Sequence, residues 1–247
     1  MRVQTGSRFG TRRLHQFSTA LGAVLLATVG AVHALPCQAQ SSGIVIEPIN
    51  STPQGQTYGR WAAAWFQWVY QIPAAENPLN DTTGKNCDQR QVDEVWFLAG
   101  VFGSGEAERT CTIPAGKSLF FPLINNGYGA FLNDPANTRT EEYVRQQAAC
   151  SLPVNISVQI DQFKVPRPDR FFTGPSGSQS PLFNIQLPPD NFFGLTVSDA
   201  PELALSPSAE QGYYLLLRPL TAGSHRIHWT ATGCANAQDI TYHLMVQ

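Results

Sequence analysis

The sequence predicts a mainly β protein, a β-sandwich or jelly-roll with one buried Trp-rich helix and one short surface helix. Three observations carry that expectation. Short runs of β-branched and aromatic residues alternate with Gly- and Pro-rich turns along most of the chain. Only one segment, Tyr58 to Ile72, repeats large apolar residues at steps of three and four. The chain has 247 residues, 43% of them hydrophobic, which is enough for a real core. Only 14% are charged, against about 25% in an ordinary soluble chain. Disorder, which needs charge in place of aromatics, is excluded. A formal net charge of −2 also excludes an electrostatic nucleic-acid binder.

Residues 1–39 read as a secretory signal peptide. Arg2, Arg8, Arg12 and Arg13 precede an apolar run from Leu21 to Val32, and Cys37-Gln38-Ala39 offers small residues for cleavage. That run is about 12 residues long, short of the ~20 that span a bilayer. Pro36 before Cys37 argues against lipidation. The remaining domain, 40–247, holds twelve basic and eighteen acidic residues, a net charge of −6. It has no electrostatic attraction to nucleic acid or anionic lipid and no apolar span in the mature chain. Oligomeric state is left open.

Four cysteines stay with the domain, and an even number in an exported chain reads as two disulfides. Of three pairings, Cys87–Cys111 with Cys150–Cys234 is preferred. The first closes a local loop, and the second ties the centre of the chain to its C-terminal region. The short C-x₂₋₄-C spacing of a zinc site is absent.

Ile44 to Ile46 reads as an edge strand. Tyr58, Trp61, Trp65, Trp68 and Ile72 form one helical face, Thr57 or Ser51 supplies a cap, and Pro73 stops the helix. Three Trp on one face suit either core packing or a sugar-stacking platform. Turns fill residues 73–90, then strands are expected at Val95–Phe102, Arg109–Ile113 and Ser118–Ile124. Asn125-Asn126-Gly127 is expected to end the last of these, with Asn126-Gly127 as a type I′ turn. Glu141 and Glu142 open a short surface helix from Thr140 to Ala149, where they suit the helix dipole. Val154–Ile160 alternates cleanly, Leu182–Leu187 follows, and residues 188–211 read as a loop or lid. Tyr213–Leu217, His225–Thr230 and Ile240–Val246 close the fold.

Several blocks recur together: Asn77-Pro78-Leu79-x-Asp81-x-x-Gly84-x-x-Cys87, Val95-Trp96-Phe97-Leu98-Ala99-Gly100, Arg109-x-Cys111-x-Ile113-Pro114-x-Gly116-Lys117, and Gly212 to Leu217 continuing through Pro219-Leu220-x-x-Gly223-x-His225. Together they resemble a group of largely uncharacterised secreted proteins that share them. The resemblance implies secretion and a common fold, and it carries no reaction.

Catalytic signatures such as G-x-S-x-G, H-E-x-x-H or a phosphate-binding Gly loop are missing. Among Glu76, Asp81, Asp88, Asp93 and Glu94, Asp81 is the candidate catalytic acid, because it lies in a turn of a shared block. Glycoside hydrolysis needs two such carboxylates. Oxygen-rich loops also suit calcium, the one cofactor left open, although no Ca²⁺-loop spacing is present. Asn125, Asn126 and Tyr128 are candidate ligand-binding residues, since amides and phenols suit sugar hydroxyls. Arg109 and His225 join them, the arginine as a carboxylate partner and the histidine at a sandwich rim. In a strand, His225 and His228 face opposite sides and make no simple metal pair. The expected function is a secreted or periplasmic protein that binds, or binds and processes, an extracellular glycan or similar polyhydroxy ligand. The alternatives are a structural or interaction protein of the envelope and a carboxylate-dependent hydrolase. Convergence of Asp81, Arg109, Asn126, Tyr128 and His225 on one cleft distinguishes a ligand site from a scaffold.

Overall fold

A computed structural model describes residues 43–91 and 93–247. The signal read in residues 1–39 lies outside the described residues. The helix forms as its periodicity predicts: α1 runs Tyr58–Tyr70, and the Thr57 side chain accepts the Arg60 N–H as its cap. Its three Trp are buried, each indole N–H donating to a backbone carbonyl, of Pro53, Leu98 and Gln89 in turn. They are core residues rather than an exposed stacking platform.

Among the described residues nine strands follow, and they make two sheets. The first is ordered β1 (Val95–Phe97), β3 (Ser118–Phe131), β7 (Ala204–Leu217), β6 (Phe183–Gln186). The second is ordered β2 (Gly105–Ile113), β9 (Asn236–Val246), β8 (Gly223–Gly233), β4 (Asn155–Ile160), β5 (Phe163–Lys164). Two pairings are parallel, β1 with β3 and β2 with β9, and the rest are antiparallel. The sheets meet where Phe121 packs on Trp229, whose indole donates to Leu123 O at 3.1 Å. α1 packs on the first sheet through Tyr58 on Phe120, with Trp61 and Trp68 on Phe97. The architecture is mainly β and sandwich-like, as expected. The short helix α2, Glu141–Gln147, is capped by Thr140 and buries Val144 against Ala130, Ala148 and Ala209.

Both disulfides follow the preferred pairing, Cys87–Cys111 and Cys150–Cys234. Gly233–Asn236 closes the β8–β9 hairpin, and its central residues Cys234 and Ala235 both have positive φ, 47° and 61°. Neither is glycine, so this type I′ turn holds local backbone strain.

Several strand boundaries differ from expectation. Ile44–Ile46 contributes one bridge, Ile46 to Leu217, with flanking backbone bonds from Glu47 N to Leu216 O and from Arg218 N to Val45 O. β1 stops at Phe97, because Leu98 O is taken by the Trp65 indole and the Ala99 and Gly100 carbonyls by Arg109 and Tyr242 of the second sheet. β3 runs through Asn125-Asn126-Gly127 without a turn, because residues 205–212 pair with it along its length. Residues 204–211 are therefore strand and not loop. This pairing also joins chain from both sides of residue 150 in one sheet.

Candidate functional site

The main cleft arises where β1 leaves β3. Leu98 N donates to Phe120 O at 3.0 Å, and the chain then departs toward the second sheet. Arg109 Nη2 donates to Gly100 O at 2.9 Å, the Gln238 side chain brackets Val101, and its Nε2 also donates to Gly103 O at 2.6 Å. β3 continues without that neighbour. The wedge between them is a cleft of about 510 Å³, lined by the β3 segment 122–129, Phe66 and Tyr70 of α1, residues 100–103, Phe193 and the Cys234–Asn236 turn. Its volume falls in the ~300–1,000 Å³ range of ligand pockets.

An aromatic wall forms one side. Tyr70 meets Phe193 at 4.8 Å, Phe193 meets Phe192 at 5.4 Å, and Phe192 meets Phe102 at 4.9 Å. Phe102 is 56% exposed and Phe193 37%. No Asp, Glu, Lys, Arg or His lines the cleft among the described residues. Sequence reasoning missed this wall because Phe102 reads as the end of a strand and Phe192-Phe193 as part of a distant loop or lid.

Of the six predicted site residues, the cleft gathers three. Asn125 Nδ2 donates to Tyr214 Oη at 3.1 Å, and Asn126 Nδ2 donates to the carbonyls of Gln147 and Ala149 at 3.1 and 3.3 Å. Tyr128 lies beside them with its ring on Tyr143. Burial raises its phenol pKa, as do nearby Tyr143 and Asp134.

Asp81, Arg109 and His225 lie elsewhere, each held by the fold. Arg109 is 1% exposed, and its guanidinium donates to Asp81 O, Pro78 O, Ala99 O, Gly100 O and Tyr242 Oη. All five N–H donors are thus taken, so Arg109 fastens loops and has none to offer a ligand. Asp81 is buried too. Its Oδ1 accepts from Thr83 N and Oγ1 at 2.8 and 2.7 Å, and its Oδ2 from Asn86 N at 2.9 Å. Burial alone raises its pKa, but the bonds from Asn86 and Thr83 and the nearby Arg109 outweigh it and hold the carboxyl below its ordinary range. A carboxyl so held is a poor proton donor, and it lies outside the cleft lining. The neighbouring Glu76, Asp88, Asp93 and Glu94 are exposed. His225 is pinned by Asp161 Oδ2 at 2.7 Å and Thr221 O at 2.8 Å, away from the cleft. Among the described residues no group of three or more His, Cys, Asp and Glu is placed to hold a metal ion.

The sign of the Asp81 shift gives a prediction. A lowered folded pKa means its carboxylate stabilises the protein above the unfolded value of about 4, and that stabilisation is lost as pH falls through the folded value. Asp81→Asn is expected to lose about 1–3 kcal/mol near neutrality, because an amide nitrogen then faces an N–H donor. Thermal melts between pH 2 and 7 should show a flatter acid limb for the variant. Parallel curves would contradict this.

A second buried carboxyl escaped the sequence reading. Glu210 is 3% exposed, and its Oε2 accepts from Thr173 Oγ1 at 3.0 Å and Tyr214 Oη at 2.8 Å. Tyr214 is the same phenol that receives Asn125, so a hydrogen-bond chain runs from the cleft wall to Glu210. No local signal marks it: Ser208-Ala209-Glu210-Gln211 reads as solvated loop.

No family model matches the chain, and no curated protein matches it. Among solved structures, the chain is similar to one from "Structure of PbICP-C in complex with falcipain-2", at 10% identity and a TM-score of 0.25. It is also similar to "Solution Structure of Amebosin", at 10% identity and a TM-score of 0.22. Each similarity covers 63% of this chain and 100% of the other. At those TM-scores neither carries an argument about function.

Proposed function

We propose that this is an exported protein of the cell envelope or its exterior that acts by binding, through the cleft beside β3, and not by catalysis. The observation that supports this is the cleft's composition: an exposed aromatic wall facing a strand, with no acid, base or charged group in the lining. Hydrolysis by paired carboxylates has no support there, because Asp81 is buried outside the cleft and held ionised. Aromatic faces and the Asn125 and Asn126 amides also suit a sugar ring, which keeps a glycan as the second reading. The amide nitrogens, however, are already held by Tyr214 and by the Gln147 and Ala149 carbonyls.

The experiment is a titration with Nile red, an uncharged dye whose emission reports an apolar site. One equivalent is expected to bind the folded protein. Phe102→Asp with Phe193→Asp should weaken it at least tenfold, about 1.4 kcal/mol, in a protein that still melts cooperatively, since both side chains lie at the surface and not in the core. Equal binding by the double variant would place the dye elsewhere and remove the reading.

A further inference from the structure

We propose that the free edge of β3, from Asn125 to Ala130, docks an extended, uncharged segment of another polypeptide, which adds to the first sheet as a strand in the place that β1 vacates. This deepens the binding reading and rests on it.

The edge is the first argument. β1 covers β3 only over Ser118–Phe120, while β7 pairs with its other side as far as Phe131. In such a ladder every second residue turns its N–H and C=O away from its partner. Apart from the ladder with β7, no hydrogen bond engages the backbone of Asn125 to Ala130 among the described residues. Free edges are usually blunted by Lys, Pro or inward charge. Pro122 and a bulge between Pro122 and Ile124 stand before this stretch, but Asn125-Asn126-Gly127-Tyr128-Gly129-Ala130-Phe131 carries no charge and no proline.

The cleft's electrostatics choose the partner. The domain is acidic overall, yet the cleft lining holds no charged side chain among the described residues. A charged residue entering it would be desolvated without a counter-ion, so the complementary segment is neutral. Side chains of an added strand alternate between its two faces. One set would meet the wall of Tyr70, Phe102 and Phe193. The Gly127 position stays low on the face toward α1, because a Cβ there would sit 2.5 Å from the Phe66 ring. A backbone partner fits this surface better than a glycan does, since the unpaired groups form a row of main-chain N–H and C=O. Strained, non-glycine Cys234 and Ala235 stand at the rim, as residues at binding sites often do.

The test uses displacement of Nile red from the full exported domain by a mixture of capped seven-residue peptides built from Val, Ile, Phe, Tyr and Thr. Two further mixtures carry N-methyl groups on alternate amides, one on odd positions and one on even. Strand addition predicts that the unmethylated mixture displaces the dye, and that peptides selected from it keep binding in one methylated register and lose at least tenfold in the other. Hydrogen exchange should slow at β3 amides from Asn125 to Ala130 when peptide is bound. Equal binding of both methylated forms, or no displacement by any peptide, overturns strand addition while leaving an apolar binding cleft intact. Displacement by a glycan panel alone overturns it in favour of the sugar reading. Failure of the dye to bind at all removes the binding reading itself.

Discussion

Replacing Arg109 by Ala is expected to lower the melting temperature by roughly 6–20 °C, because five acceptors lose their donor at once. The carbonyls of Pro78, Asp81, Ala99 and Gly100 and the Tyr242 hydroxyl converge on a guanidinium that is 1% exposed. Breaking a buried charged network by removing one partner costs about 3–5 kcal/mol, and each kcal/mol shifts the melt by roughly 2–4 °C at this size. Arg109→Lys should recover only part of the loss. Lysine keeps the charge but offers three donors from a point, where this site is built around a planar fork and the Tyr242 ring 5.3 Å away. The consequence reaches the cleft. Arg109 holds Ala99 and Gly100 away from β3, so loosening it frees the segment that bounds the wedge. Thermal melts with Nile red titration of both variants measure the two effects together. Full stability of the Ala variant would show that the network is dispensable.

That network explains why part of the site was legible in sequence and part was not. Arg109 sits beside Cys111 in a strand of alternating burial, and an arginine on the inward face signals a buried charge needing partners. Its partners are backbone carbonyls, which no side-chain pattern reveals. The pairing of the cysteines was legible because loop length and position favoured one of three arrangements. The helix was legible because its periodicity, cap and terminating proline agree. The continuation of β3 was not. Asn126-Gly127 carries a strong local turn signal, and it is overridden by pairing to residues 205–212, a stretch containing Ser206-Pro207-Ser208 that itself reads as loop. Each segment looks irregular alone, and each becomes strand only against the other. The two parallel pairings are equally silent, since β1–β3 and β2–β9 partners share no turn. The cleft depends on both of these features, so its position could not be read although Asn125, Asn126 and Tyr128 within it were named.

Glu210→Gln is expected to stabilise the protein above pH 8 and to remove most of the pH dependence between about 4.5 and 8. Burial is the largest influence on this carboxyl and pushes its pKa up to about 8, against the lowering effect of bonds from Tyr214 and Thr173, of the adjoining Ser180 hydroxyl and of nearby Arg145. The geometry agrees with a neutral acid. Oε2 already accepts two hydroxyl donors, whereas Oε1 has no acceptor's partner in place and adjoins the Ser180 hydroxyl, which a carboxylic O–H can approach as donor. An acid whose folded pKa is raised supports the fold fully below its unfolded value of 4.5, and that support is lost as pH rises through the folded value. The loss is on the order of 5 kcal/mol when complete. Glutamine keeps the carbonyl for Thr173 and Tyr214 and places an amide N–H toward Ser180, with nothing to ionise. Melts of wild type and variant from pH 4 to 10 should therefore diverge upward for the variant, while Glu210→Ala should destabilise at every pH. Because Tyr214 joins Glu210 to Asn125, Nile red affinity of the wild type should fall as pH rises through about 8, and that of the Gln variant should not. Superimposable wild-type and Gln profiles would mean that Glu210 is ionised in the core throughout.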